Sequence, residues 1–470
     1  MKFETKKVYN FVGILFFLFC VAVSLLISNP LPLVAGAFPL MLLNRAYVLA
    51  VLLTVECVKG AAVNADQSTN LVQMMALAAA FPLLLYDLLK RHSMVVPFKL
   101  VGFYILFPFL VILGFYIWLL HPQIFSASHK TMTQTYFDIV TKIFVIIFMF
   151  IFLKVLINYH KELFYESLQM IQAIVPFMII IVFGYTAFLG RVSGALDVVH
   201  FGDAHHGEFT ADLCASGAYL FIPLFDKKRG FINKLVIVGA LLGLLFVVMK
   251  LGSRNGVVTF ALMSMICMYL VLKKSTSLIK MAYILGAVFA LMTLIYIVQD
   301  SPTIERFIVK SDEGGGDRIE YWTSGLQAIA KEPVFGLGGD ESSSMYAVSV
   351  YAPGVVPNLM HNTFLEMTVE YGFVGFIFYF TFFFTIMRCA YKSFMYALRT
   401  DNLLIAMPSI SYSLAIFAGM FISRIWQLTV WYNATMVFAV YILWVYPIEQ
   451  ENKIPRLMAK YSKQRQQQLA

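Results

Sequence analysis

Charge is the first thing this sequence is short of. Asp, Glu, Lys and Arg make up 13% of its 470 residues, about half the share that a water-soluble domain carries, which excludes an ordinary globular protein. Cysteine is scarce as well. The five cysteines (Cys20, Cys57, Cys214, Cys267 and Cys389) lie in or beside apolar runs without paired spacing, so they imply neither a disulfide framework nor a metal knot. Alternation of apolar and polar positions is missing from runs such as LVILGFYIWLL, which excludes a transmembrane barrel. The glycine run 314–316 lacks the Gly-Lys-Ser/Thr of a phosphate loop. No A-x-A site follows the first apolar run, so that run reads as a span and not as a cleaved signal. No internal repeat is visible.

What is there is apolar and continuous. Hydrophobic residues fill 60% of the chain and the mean hydropathy is +0.79, in runs of the length a helix needs to cross a bilayer, about 20 residues. The expected fold is all-α, a polytopic transmembrane helical bundle. Spans are expected near 8–28, 31–43, 46–63, 71–89, 100–120, 138–157, 170–189, 210–224, 234–250, 256–272, 281–298, 364–386, 403–422 and 427–446. The second is too short to cross upright, and the split at Asn44-Arg45 can instead mark a broken or re-entrant pair, so the count is fourteen or twelve.

Lys and Arg gather on 1–7, 44–45, 90–99, 158–169, 225–234, 273–280, 387–402 and 447–470. The positive-inside rule puts these segments, and both termini, in the cytoplasm. Most of the net charge of +9 follows from that asymmetry. The basic tail KIPRLMAKYSKQRQQQ is expected to meet anionic inner-leaflet lipid and not nucleic acid. Trp118, Trp426, Trp431 and Trp444 fall near span ends and are expected to be interfacial anchors. The chain thus divides into a bundle of eleven spans over 1–298, a long extracytoplasmic loop over 299–363, three last spans over 364–446, and a basic cytoplasmic tail over 447–470.

Three outer segments hold chemistry. The hinge after the seventh span clusters His200, Asp203, His205, His206 and Glu208. These are metal-ligand types, but their spacing fits no zinc framework, and a polar loop near an acceptor site is the better reading. Arg191 opens this hinge, as an anion contact or an interfacial anchor. The turn GSRNG over 252–256 holds Arg254 between glycines, which let a backbone approach a ligand closely. The long loop is unusual for its length alone. Within it, Asp317 and Glu320 read as a capping box, Ile319, Trp322, Leu326 and Ile329 as one apolar face, and Pro333 as the stop. This predicts a surface helix with its apolar stripe on the bundle or the lipid interface. Arg318 sits at its first turn, where a guanidinium and a helix N-terminus together favour an anion. The loop delivers His361-Asn362 to the next span, with Glu366 and Glu370 one and two turns in. Either carboxylate can orient the imidazole or the acceptor, though Glu366 lies well round from His361 if the helix already runs there. Two cations and one titratable base form a minimum set for displacing a diphosphate without a metal.

These residues resemble a known family. HNTFLEMTVEYGFVG, preceded by D-R-x-x-x-W and P-V-F-G-L-G-G, with G-S-R-N-G before a span, is similar to the signature of the O-antigen ligase and polymerase superfamily. The resemblance implies a GT-C-like glycosyltransferase with no metal and no cofactor, acting by inversion. It further implies an undecaprenyl-diphosphate-linked glycan as donor, a lipid A core or another glycan as acceptor, and a periplasmic active site on the inner membrane. By position it assigns the family's two essential arginines to Arg254 and Arg318 and its essential histidine to His361. Arg191, Asn362, Glu366 and Glu370 are candidate acceptor or supporting residues.

Ligase and polymerase are not separated by the sequence. A transporter or lipid-linked-sugar flippase is the alternative from another class. It would need ionisable residues at mid-bilayer, for which Glu56 and Lys59 are the main candidates.

Overall fold

A computed structural model describes residues 2–58, 69–90, 96–121, 123–124, 132–188, 191–193, 198–200, 213–220, 230–251, 254–273, 276–278, 316–339, 341–357, 359–419 and 428–451, with single positions at 281, 285 and 292. Most of the His-rich hinge, most of the expected eleventh span, the loop over 299–315 and the basic tail lie outside the described residues.

The chain is a polytopic helical membrane protein. Its described helices in order are α1 (Lys2–Ile27), α2 (Leu31–Leu43), α3 (Tyr47–Val58), α4 (Thr69–Lys90), α5 (Phe98–Leu119), α6 (Met132–Asn158), α7 (His160–Phe188), α8 (Phe231–Lys250), α9 (Arg254–Leu272), α10 (Gly316–Lys331), α11 (Glu341–Tyr351), α12 (Thr363–Thr400), α13 (Met407–Gly419) and α14 (Leu428–Val440), with a helical stretch over 213–220. Helix α14 continues through a π-helical turn at Tyr441–Val445. Among the described residues, eight helices are long and apolar enough to cross a membrane, and four apolar ones are shorter. One departure from an all-α chain is the hairpin of β1 (Arg191–Ser193) and β2 (Val198–His200), which pairs Arg191 with His200.

The bundle is apolar on both sides. Inside, Trp431 of α14 packs between Phe107 of α5 and Phe382 of α12, with ring centroids 5.1 and 4.9 Å away. Outside, Phe19, Phe109, Leu242 and Ile377 stand exposed on their helices, as bilayer-facing side chains do. Helix α3 is buried along its whole length. Helices α2 and α3 are short and meet at a break, the broken pair anticipated at Asn44-Arg45. Arg45 pairs with Asp87 at 2.7 Å, and Asn44 donates to Glu166 at 3.2 Å. At the same end, Asn402 bonds the Tyr165 hydroxyl.

Helix α6 begins beside the end of α5, where Phe115 and Tyr136 lie 5.3 Å apart. It then runs to the end marked by Glu166 and Asn44. Among the described residues, Asn44-Arg45, the start of α7 and Asn402 therefore lie at one end of α6, and the end of α5 lies at the other.

Three of the tryptophans expected at the interface are core residues instead. Trp118, Trp431 and Trp444 are buried; Trp426 lies outside the described residues. Trp118 donates its indole N–H to Ser342 Oγ at 3.1 Å, and Trp444 packs on Phe164 and Tyr165. A large ring with one donor fills a helix junction as readily as a headgroup layer.

Candidate functional site

The loop folds on a core of its own. Trp118, Tyr321, Ala328, Leu337, Val348, Met360 and Val369 bring the end of α5, both loop helices and the first turns of α12 together. The surface helix is α10, beginning at Gly316 and ending before Pro333. Half of the expected stripe faces inward: Trp322 and Ile329 pack against this core. Ile319 and Leu326 are 64% and 60% exposed, while Tyr321, Ser324, Gly325 and Ala328 are buried. The reason is how closely the loop approaches: a Cβ on Gly325 would meet Met360 Sδ at 2.5 Å. The close approach to Met360 selects glycine at position 325.

The loop is fastened to α12 by exchange of backbone hydrogen bonds. Helix α12 is broken at Gly372, whose φ of 61° and ψ of −161° no helix contains. The break frees the carbonyls of Val369 and Glu370 and the N–H groups of Phe373 and Val374. The segment Pro333–Gly339 takes them all. Leu337 and Gly338 donate to Val369 and Glu370 at 2.8 and 2.9 Å, while Phe373 and Val374 donate to Pro333 and Val334 at 2.8 and 3.2 Å. A Cβ on Gly372 would lie 2.3 Å from the Val334 oxygen, and one on Gly338 would lie 2.4 Å from Trp118. The two glycine-bearing motifs of the sequence are thus the two halves of one joint.

Above this joint, the sequence His361-Asn362 builds the N-terminus of α12. Asn362 is the N-cap, its Oδ1 accepting from the N–H groups of Phe364 and Leu365 at 3.1 and 3.2 Å. The asparagine is therefore a capping residue. His361 lies before the helix in the left-handed region, with φ of 52°, half-buried. Because the helix does not yet run there, Glu366 reaches back, and its Oε1 accepts the His361 backbone N–H at 2.9 Å. Glu366 and Glu370 share one face and are each 4% exposed.

Arg318 is exposed in the first turn of α10. One turn on, Trp322 donates its indole N–H to the carbonyl of Met360 at 2.9 Å, the residue next to His361. The i, i+4 relation puts Arg318 and Trp322 on one face of α10, so the structure brings the Arg318 turn to the His361 segment. Arg254 is the first residue of α9. The thiol of Cys214, just after the His-rich hinge, donates to the carbonyl of Gly256 at 3.7 Å, and α13 lies between α9 and α12. Arg191 opens β1. Among the described residues no group of His, Cys, Asp and Glu is arranged to hold a metal, and Asp203, His205, His206 and Glu208 lie outside them. Sequence reasoning passed over Lys142, buried in α6; its signal was a lysine one turn into the apolar span expected over 138–157.

No curated protein matches the chain. Residues 238–380 match the family described as O-Antigen ligase, a segment that contains Arg254, Arg318, the backbone joint and His361. That segment is what the chain has in common with the O-antigen ligase family.

Proposed function

We propose that the protein transfers a glycan from undecaprenyl diphosphate to an acceptor sugar on the periplasmic face of the inner membrane, as an inverting, metal-independent glycosyltransferase. One observation carries this reading. Within the matched segment, Arg254, Arg318 and His361 each stand in or just before the first turn of a helix. Helix N-termini favour anions, and the guanidinium groups add bidentate donors for phosphate oxygens. In this mechanism Arg254 and Arg318 neutralise the diphosphate as it departs. His361 takes the proton from the acceptor hydroxyl as that oxygen attacks the anomeric carbon. Asn362 and Glu366 hold the imidazole's backbone in place.

We favour the ligase, with the lipid A core as acceptor, over the polymerase. Glycan ladders from a deletion strain separate them: loss of all attached polymer marks a ligase, and a single attached repeat unit marks a polymerase. Buried Glu56 and Lys142 are what a transporter would use. Purified protein in vesicles with donor and acceptor on one side decides that point. Joining of the two supports the transferase, and movement of donor across the bilayer without joining overturns it.

A further inference from the structure

The backbone joint at Gly372 lies at a depth that its sequence does not reveal. Helix α12 spans 38 residues, roughly 57 Å at 1.5 Å per residue and far more than a bilayer core of about 30 Å. Below the break, the first cation is Arg388. About 22 Å of helix separates it from Phe373. With Arg388 at one interface, Phe373 falls short of the opposite one by roughly 8 Å. Snorkelling of the arginine by about 5 Å still leaves Phe373 inside the hydrocarbon. Any tilt of the helix takes it deeper.

The loop segment fastened to that point is apolar where it faces outward. Val334 and Phe335 are 54% and 48% exposed, beside Phe373 at 52%. Below them Ile377, Phe380 and Phe384 continue the same exposed stripe down α12. The backbone that fastens the tip to α12 and α5 is paired internally. The N–H groups of Leu337, Gly338, Gly339, Phe373 and Val374 all donate to main-chain carbonyls, Gly339 to Gly114 at 2.9 Å. Non-helical backbone at membrane depth requires such pairing. Lys331 and Glu332, exposed just before Pro333, then reach headgroup level.

We propose that Val334 and Phe335 form a re-entrant lipid-facing tip, inserted among the acyl chains of the outer half of the bilayer. The occupant of this surface is bilayer lipid, because the tip continues the stripe by which α12 already faces lipid. The long loop is therefore anchored in the membrane, and does not ride free above it. This inference does not depend on the transferase reading.

Wild-type protein in phosphatidylethanolamine/phosphatidylglycerol vesicles carrying a diazirine acyl-chain phospholipid provides the test, followed by peptide mapping. Label is expected on the peptide holding Val334 and Phe335 at a level near that of Ile377–Phe384. A labelled stripe with an unlabelled tip overturns the proposal. In a second measurement, nitroxides are placed at V334C, F335C and P353C, the last on an exposed loop turn. Oxygen should relax the first two several-fold better than a water-soluble nickel chelate, with the reverse at position 353. Chelate access at 334 and 335 equal to that at 353 would place the tip in water. Protection from both reagents would mean that protein covers it; either result sinks the idea.

Discussion

The backbone N–H of His361 donates to Oε1 of Glu366 at 2.9 Å, and it does so with His361 at a φ of 52°. A non-glycine residue in the left-handed region costs about 1–2 kcal/mol, and a hydrogen bond to a buried carboxylate returns roughly 1.5–3. Glu366 thus holds the His361 backbone, and a positioning role for it is testable. Glu366→Gln keeps an acceptor and should retain most activity. Glu366→Ala should lose roughly tenfold, about 1.4 kcal/mol. Equal activity in both variants at equal membrane levels would remove this role.

His361 itself should be replaceable in the fold but not in the reaction. Asn tolerates the left-handed region, so His361→Asn should accumulate normally and transfer nothing measurable. As a base, neutral imidazole is the active form, and the transfer rate should fall as pH drops through its pKa. A rate that instead rises as pH drops would assign His361 to a cationic contact with the diphosphate.

Arg254→Lys and Arg318→Lys should each lower transfer by roughly 10- to 100-fold, since an ammonium cannot give the bidentate geometry of a guanidinium. Donor binding by the purified protein should weaken in parallel. Full activity in both variants would end the diphosphate assignment.

The joint predicts an order of stabilities. Gly372→Ala puts a Cβ 2.3 Å from the Val334 oxygen at a φ of 61°, and should cost more than about 3 kcal/mol through strain and clash together. Gly354→Ala also sits at a positive φ, 98°, but in open space, and should cost only about 1–2 kcal/mol. Thermal melting in detergent would reveal the order. Equal melting temperatures would mean that the joint opens without consequence.

By itself the sequence determined the solvent and the inventory. Long apolar runs and little charge require helices in a bilayer, because a backbone in hydrocarbon must satisfy itself. Asn before Thr-Phe-Leu-Glu determines where α12 starts, because an N-cap is a local hydrogen bond. Pro333 stops α10 for an equally local reason. The tertiary structure decided what depends on approach between distant segments. Periodicity chose Ile319, Trp322, Leu326 and Ile329 for the buried face; Trp322 and Ile329 do pack inward, but Tyr321 and Gly325 are buried where Ile319 and Leu326 stand exposed. The tryptophans near the span ends seal helix junctions instead of anchoring headgroups, which no single span can reveal. Gly372 and Pro333–Gly339 read separately as a helical glycine and a flexible turn. Only when α12 breaks do two carbonyls and two N–H groups come free, and only a second segment close by can pair them. Hydrogen bonds between segments more than 30 residues apart leave no periodic trace in either one.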